Sequence, residues 1–175
     1  LTPIIIAVIV LALIFDFLNG VHDSSNVVAT MISSRALSPR LALLMTAIAE
    51  FSGPLIFGVA VANTIGTEVV IAAAINTNVL LAALSSAILW NILTWILGFP
   101  SSSSHALVGG FVGAVVMGAG WQAIQLPGIE KILIALFASP LIGFAFGYIL
   151  LRLVLLLSWK ASPGINRVFK RSQIF

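Results

Sequence analysis

Residues 69–129 read VVIAAAINTNVLLAALSSAILWNILTWILGFPSSSSHALVGGFVGAVVMGAGWQAIQLPGI, a stretch without a single Asp, Glu, Lys or Arg. The whole chain has 175 residues, of which 61% are hydrophobic and only 7% are charged. Soluble domains average roughly 45–50% apolar and about 25% charged residues. Because so few charges cannot cover a water-exposed surface, the composition excludes a soluble enzyme, a nucleic-acid-binding protein and a disordered chain. It predicts an all-α membrane protein that crosses the bilayer several times.

The apolar runs on either side of this stretch predict where the spans lie, since a spanning helix needs about 20 apolar residues. The predicted runs are residues 3–18 with a continuation to 37, then 40–62, 79–97, 106–118 and 132–157. A polar turn at 63–68 and an interfacial loop at 121–130 are expected to separate some of them. Residues 79–118 either cross twice or fold back as a re-entrant hairpin. Residues 1–159 therefore form one transmembrane unit with about three to five crossings.

The positive charges predict the orientation of this unit. Arg35 and Arg40 flank one turn, and half of the cations lie in the last 16 residues, at Lys160, Arg167, Lys170 and Arg171. Lys and Arg concentrate in cytoplasmic loops, so both clusters are expected inside, with the N-terminus outside. Residues 160–175 then form a basic cytoplasmic tail or the start of a longer loop. Because the chain begins without Met, we expect it to be a piece of a longer protein.

Two polar stretches interrupt the apolar sequence, NGVHDSSN at residues 19–26 and GFPSSSSH at residues 98–105. Non-helical chain survives at membrane depth only where it lines a cavity or is buried in protein. Secondary transporters build their ion and substrate sites from such broken helices. We therefore predict discontinuous helices at both stretches, the alternative being two ordinary surface loops.

The second stretch has the chemistry of an anion site. Four serines and His105 precede a helix expected to begin near Ala106. Free N–H groups and the dipole at a helix N-terminus attract anions, and serine hydroxyls add further donors. An oxyanion such as phosphate suits this donor cluster. The alternative is a flexible turn that is capped by its own serines.

The first stretch has the chemistry of a cation or proton site. An ionisable residue inside a membrane costs about 2.5–3.5 kcal/mol on insertion scales, so Asp23 is a functional candidate. Its carboxylate can bind a hard cation such as Na⁺, carry a proton, or accept a hydrogen bond from a protonated oxyanion. Asn26 lies one helical turn further on the same face. Glu50, midway along the second span, either joins this polar centre or pairs with a structural neighbour.

Other residues of the spans have two open interpretations. Asn91 and Thr94 either face the polar site or join neighbouring helices, since such side chains act as interhelical contacts in membranes. The spacings of Gly109 with Gly113, and of Gly143 with Gly147, are typical of faces where two helices pack closely.

The two polar stretches resemble the signatures of the PiT family of inorganic phosphate transporters. The first signature is NGVHDSSN followed by SSRALSP at residues 33–39. The second is WNILTW at residues 90–95 leading to GFPSSSSHALVGG at residues 98–110, and AEF at residues 49–51 also fits. The resemblance covers about residues 16–113. It implies a cation-coupled symporter for inorganic phosphate, built from two inverted repeats that each carry both signatures.

The resemblance also assigns roles to residues of this chain. It implies that Asp23 and Asn26 belong to a shared phosphate and cation centre, with Ser102, Ser103 and Ser104 as phosphate donors. We add His105 as a substrate-binding candidate and Glu50 as a further Na⁺ or proton site. Each signature occurs once here, so the chain is expected to be one inverted repeat whose second repeat lies elsewhere. No cofactor is expected beyond the coupling Na⁺ or H⁺, and a homodimer is a family-level expectation.

Two other functions remain as alternatives to a transporter that is not an enzyme. An intramembrane serine hydrolase would use one of the four serines as nucleophile, His105 or His22 as base and Asp23 to orient the base. The sequence lacks the Gly-x-Ser-x-Gly nucleophile elbow. The other alternative is a structural membrane subunit in which the polar stretches only bend helices.

Overall fold

A computed structural model describes residues 2–159, which form six α-helices and two short 3₁₀ helices. The α-helices are α1 (Pro3–Ser33), α2 (Pro39–Phe57), α3 (Ala60–Thr67), α4 (Thr77–Leu97), α5 (Ser103–Ala119) and α6 (Leu126–Ser158), and the 3₁₀ helices are Ala72–Ala74 and Trp121–Ala123. By length and composition, α1, α4 and α6 are each able to cross a membrane. The predicted fold class, an all-α membrane protein, is confirmed. The basic segment 160–175 lies outside the described residues.

Three of these helices begin at a polar side chain that caps their first turn. Ser38 accepts a hydrogen bond from the backbone of Leu41 at the start of α2, where Pro39 occupies the first helical position. Asn76 caps α4, and Ser102 caps α5. Such side-chain oxygens satisfy backbone N–H groups that have no partner within the helix. Helix α4 therefore begins at Thr77, two residues before the predicted apolar run at 79–97.

The predicted break at residues 19–26 is wrong, because α1 runs through this stretch without interruption. The stretch contains no proline, and its single Gly20 costs a helix only about 1 kcal/mol. Its serines remain compatible with a helix, since Ser25 Oγ donates to the carbonyl of His22 at 2.9 Å. The polar side chains of this stretch are thus displayed on a continuous helix.

The predicted span at 40–62 and the polar turn at 63–68 are also wrong. α2 ends at Phe57, where Gly58 adopts a φ of 76° that glycine tolerates and other residues rarely do. The short helix α3 follows. Its polar residues are satisfied locally, because Thr67 Oγ1 donates to the carbonyl of Asn63 at 2.7 Å. A polar segment therefore forms a helix where a turn was expected.

Helices α4 and α5 form an antiparallel pair that contains much of the core. A Cβ on Gly110 would lie 2.5 Å from Ser86 Oγ and 2.8 Å from the Ala83 carbonyl oxygen, so only glycine permits this approach. The close contact was predicted at Gly109 and Gly113 instead, and this is wrong within the described chain. A Cβ on either of these two would meet nothing within 4 Å. Gly109 and Gly110 point about 100° apart around the helix, so when Gly110 faces α4, Gly109 does not.

The chain enters and leaves the α4–α5 pair at the same end. Val70, before α4, forms an isolated β-bridge with Ile124, after α5. The backbone N–H of Gln125 donates to the carbonyl of Val69 at 2.8 Å. Val69 and Val70 are fully buried there. A double crossing and a re-entrant hairpin both fit this arrangement, so the number of crossings stays a prediction.

The other long helices flank this pair in different ways. α1 packs on α4, where Phe15 is buried with Ala87 and Ile88, and its C-terminal part packs on α2. α6 begins at Leu126, six residues earlier than predicted, and continues through Pro140. From Pro140 to Leu157 every residue of α6 is exposed in the isolated chain. This apolar surface requires lipid or another helix as its surroundings.

Candidate functional site

Ser103, the first residue of α5, joins that helix to the polar stretch of α1. Its side chain is completely buried, and its Oγ donates to Asp23 Oδ2 at 2.7 Å. The side-chain amide of Asn19 also contacts Ser103 Oγ. Asn19 and Asp23 are four residues apart, so both lie on one face of α1. The atom of Asn19 beside it is Oδ1, and because the hydroxyl has a single proton, Ser103 donates to either Asp23 Oδ2 or Asn19 Oδ1 at any one time.

The four serines at residues 101–104, which lead into α5, have four different environments. Ser101 Oγ accepts a hydrogen bond from Trp90 Nε1 at 3.1 Å, which ties the connection back to α4. Ser102 caps α5, and Ser103 contacts α1. Ser104 is exposed, and its side chain makes no hydrogen bond within residues 2–159. Only Ser102 and Ser104 thus present accessible hydroxyls at the start of α5.

The start of α5 has the donors that an oxyanion requires. The predicted break in this region is confirmed, with Gly98 at φ 67° ending α4 and Ser102 initiating α5. A cavity of about 400 Å³ opens beside the helix start, and Trp90, Ser102 and His105 contribute to its lining. The free backbone N–H groups of the first turn and the positive end of the dipole favour a bound anion here.

The candidate cation residues are only partly brought together. Asp23 is half-buried, and its second oxygen, Oδ1, lies 3.6 Å from His22 Nδ1, which is too long for a hydrogen bond. Asn26 and Glu50 are exposed, and their side chains make no hydrogen bond within residues 2–159. No cluster of three His, Cys, Asp or Glu side chains suited to a metal occurs there either. The roles of Asn26 and Glu50 therefore stay predictions.

Sequence reasoning missed Asn19 as a member of the site. The signal was present in its spacing of four residues from Asp23, but a break was expected where a helix forms. Of the two undecided residues of α4, Thr94 is buried and donates to its own helix at the Trp90 carbonyl, 2.9 Å away. Asn91 is also buried and lines a cavity with His22 between α1 and α4.

The geometry does not form a serine hydrolase. Ser103 donates directly to Asp23, whereas a catalytic triad places a histidine between the serine and the carboxylate. Neither His22 nor His105 makes a side-chain hydrogen bond to any serine of residues 2–159.

Comparison with known proteins assigns this chain to a family. Residues 19–174 match the family model described as the phosphate transporter family. A probable low-affinity inorganic phosphate transporter of Rhizobium meliloti is 45% identical over 157 residues, which cover 90% of this chain and 46% of that protein. A protein of the same description from Bacillus subtilis is 42% identical over 172 residues, covering 97% of this chain and 51% of that protein.

A solved structure has the same fold. It is described as the sodium-dependent phosphate transporter and superposes with a TM-score of 0.80 at 28% identity, covering 89% of this chain and 40% of that chain. The chain thus spans about half the length of the two relatives and less of the structural neighbour. These matches are transporters rather than enzymes, as predicted, and with the apolar helices they identify a membrane protein. The chain belongs to the phosphate transporter family.

Proposed function

We propose that this chain forms one half of a cation-coupled symporter for inorganic phosphate. The observation that carries the proposal is the hydrogen bond from Ser103 to Asp23, because it joins the anion-binding start of α5 to the carboxylate of α1. The names of the relatives, which are probable low-affinity inorganic phosphate transporters, support the substrate. The chain covers only about half of them, so the transport activity is proposed for the protein completed by its second repeat.

Phosphate binds at the start of α5 in this proposal. Its oxygens accept hydrogen bonds from the hydroxyls of Ser102 and Ser104 and from free backbone N–H groups of the first helical turn. His105, exposed in the same turn, offers a further ring donor. Ser103 itself holds the helix start against Asp23. It therefore acts mainly as a positioning residue, which refines its predicted role as a direct phosphate donor.

The coupling cation offsets the repulsion between Asp23 and phosphate. Two negative groups in one site repel each other strongly where water is scarce, so phosphate binds well only when the carboxylate is neutralised. Na⁺ at Asp23, with oxygen ligands from Asn26 or Glu50, would do this, and so would protonation of Asp23. The name of the structural neighbour, a sodium-dependent transporter, supports Na⁺. Substrate and cation then bind together or not at all.

The architecture follows from the same proposal. Residues 1–159 are one inverted repeat, and the second repeat supplies the opposing half of a site near the bilayer midplane. The N-terminus lies outside, and the basic segment 160–175 lies in the cytoplasm of a cell-membrane protein. The exposed part of α6 contacts lipid, the second repeat or the other subunit of a homodimer. Rocking of one helix bundle against another exposes the site alternately to each side.

Uptake of radiolabelled phosphate into liposomes tests this function. The chain is reconstituted with its second repeat, and uptake is compared in Na⁺ and choline gradients at fixed pH. We expect uptake to be faster in the Na⁺ gradient, and we expect Asp23→Asn to reduce this Na⁺-dependent part about tenfold or more, because the neutral amide keeps the contact with Ser103 but no longer holds the cation. Glu130→Gln is the matched control, since this exposed carboxylate of α6 makes no side-chain hydrogen bond or ion pair within residues 2–159.

The possible outcomes separate the alternatives. Uptake that is equal in Na⁺ and choline but rises when an inward proton gradient is imposed in a third arm would assign H⁺ as the coupling ion. Uptake that ignores both gradients, or that survives unchanged in Asp23→Asn, would refute the proposed centre.

A further inference from the structure

Arg152 places a positive charge on the exposed, apolar part of α6. Every residue from Pro140 to Leu157 is exposed, and Arg152 is the one charged residue among them. A charged side chain within a membrane span is costly and indicates a partner of opposite charge. Arg152 forms no ion pair with a carboxylate within residues 2–159. Its partner therefore comes from the surroundings of α6.

The spacing of charges along α6 places Arg152 at the edge of the hydrocarbon core. Lys131 and Arg152 enclose residues 132–151, which contain no charged side chain. This segment extends about 30 Å at the helical rise of 1.5 Å per residue, which is the thickness of the hydrocarbon core. With Lys131 at one boundary, Arg152 lies at the other, close to the phosphate groups of the phospholipids. The apolar residues 153–157 hold this turn against the membrane rather than in water.

Tyr148 orients the guanidinium group of Arg152 and leaves most of its donors free. Arg152 Nε donates to the Tyr148 hydroxyl at 2.9 Å. The two residues are four apart, so they lie on one face of the helix. Arginine has five N–H donors, and the four on its terminal nitrogens have no partner within residues 2–159. These two nitrogens match two oxygens of a single phosphate group.

We propose that Arg152 and Tyr148 bind the phosphate group of an anionic phospholipid. The negative charge of the lipid balances Arg152 at a depth where such phosphates lie. Its acyl chains extend from there toward the bilayer centre, along the face of α6 that carries the exposed side chains of Leu141 and Phe144. A carboxylate from another protein helix is the competing partner. The inference does not rest on the transport function and is tested without measuring transport.

Native mass spectrometry tests the lipid site in the protein completed by its second repeat. The protein is titrated with phosphatidylglycerol, which is anionic, or with phosphatidylcholine of the same acyl chains, and the bound lipids are counted. We expect Arg152→Gln to weaken the binding of phosphatidylglycerol about fivefold, the usual contribution of one basic side chain at an anionic membrane surface. The binding of phosphatidylcholine should change much less, because its choline group carries a compensating positive charge.

Two further variants assign the effect to the geometry of this site. Lys131→Gln is the matched control, because Lys131 is an exposed cation of the same helix whose charge is already balanced by Glu68 at 2.9 Å. It should leave the binding of phosphatidylglycerol unchanged. Tyr148→Phe keeps the ring but removes the hydroxyl that orients Arg152. It should weaken the binding of phosphatidylglycerol, though less than Arg152→Gln does, and it keeps the test valid where Arg152→Gln fails to fold.

Three outcomes would overturn the proposal. Equal binding of phosphatidylglycerol by the wild type and Arg152→Gln would assign the partner of Arg152 to a carboxylate of another helix. An equal loss in Lys131→Gln would show a response to total charge rather than to this site. Glycerol phosphate carries the charged group without acyl chains. If it displaced the lipid from the wild type as effectively as phosphatidylglycerol does, the site would be one for soluble phosphate compounds.

Discussion

Residues 19–26 of α1 and residues 98–105 each place a run of polar side chains in apolar surroundings. The first run is helix throughout, whereas the second leaves residues 98–102 as a break between α4 and α5 and ends in the first turn of α5. The difference lies in Gly98, which adopts a left-handed conformation, and in Pro100, which cannot donate to a helix. Residues 19–26 contain neither a proline nor a positive φ within the described chain. Backbone requirements rather than side-chain polarity thus decide where a membrane helix breaks.

The two stretches also contribute different chemistry to the site. The continuous helix holds Asn19 and Asp23 rigidly on one face, and the break frees the backbone N–H groups at the start of α5. Ser103 connects them. The carboxylate from one stretch repels an anion that is bound by the donors of the other. The two stretches therefore bind phosphate together only if a cation neutralises the carboxylate. The contrast between the stretches is therefore the structural basis of the proposed coupling.

The largest expected effect on stability comes from adding a proline to the first stretch, and the comparison is the removal of the proline from the second. Val21→Pro is expected to lower the free energy of unfolding by about 3 kcal/mol or more, because it removes a helical hydrogen bond and clashes with the preceding turn. Pro100→Ala is expected to cost less than about 1 kcal/mol, since the residue lies outside a helix. Equilibrium unfolding in mixed detergent micelles measures both values. Equal losses would contradict the assignment of one stretch as helix and the other as break.

Neighbouring serines sharpen the comparison within the second stretch. Ser103→Ala is expected to cost about 1–2 kcal/mol in unfolding free energy, because buried contacts to Asn19 and Asp23 are lost. Ser104→Ala should change stability by less than about 0.5 kcal/mol, since the side chain is exposed and unpaired within residues 2–159. Phosphate binding should weaken directly in Ser104→Ala. A stability loss at Ser104 and none at Ser103 would reverse the roles assigned to them.

Alanine at the two glycines tests the backbone difference through the opposite signs of the two expected effects. Gly98→Ala should destabilise the protein by about 1–2 kcal/mol, because alanine is strained at a φ of 67°. Gly20→Ala should stabilise it by about 0.5–1 kcal/mol, since a Cβ there meets nothing within 4 Å and favours the helix. Thermal unfolding of both variants checks the signs. Two shifts in the same direction would be inconsistent with this account.

Much of this organisation could be predicted from the sequence, because apolar runs and helix caps are local signals. The break after Leu97 followed from residue types alone, and Ser38 and Asn76 are residue types that commonly cap helix starts. The continuity of α1 was missed because polarity was taken as a sign of a break. The contact face of α5 was also missed, since Gly110 rather than Gly109 is selected by how the helix is rotated against α4. Rotation and long-range contacts such as that of Asn19 with Ser103 depend on tertiary packing, which local patterns do not contain.

The central claim is that phosphate binds at the start of α5, beside the carboxylate of α1. Solid-state NMR that measures dipolar coupling between the phosphorus of bound phosphate and ¹⁵N-labelled serine amides tests it most directly. The account predicts coupling to amides of the first turn of α5, corresponding to roughly 4 Å for a hydrogen-bonded oxyanion. It also predicts that Asp23→Asn abolishes the cation dependence of that signal. Bound phosphate without coupling to the amide of Ser103 or Ser104 would contradict the account.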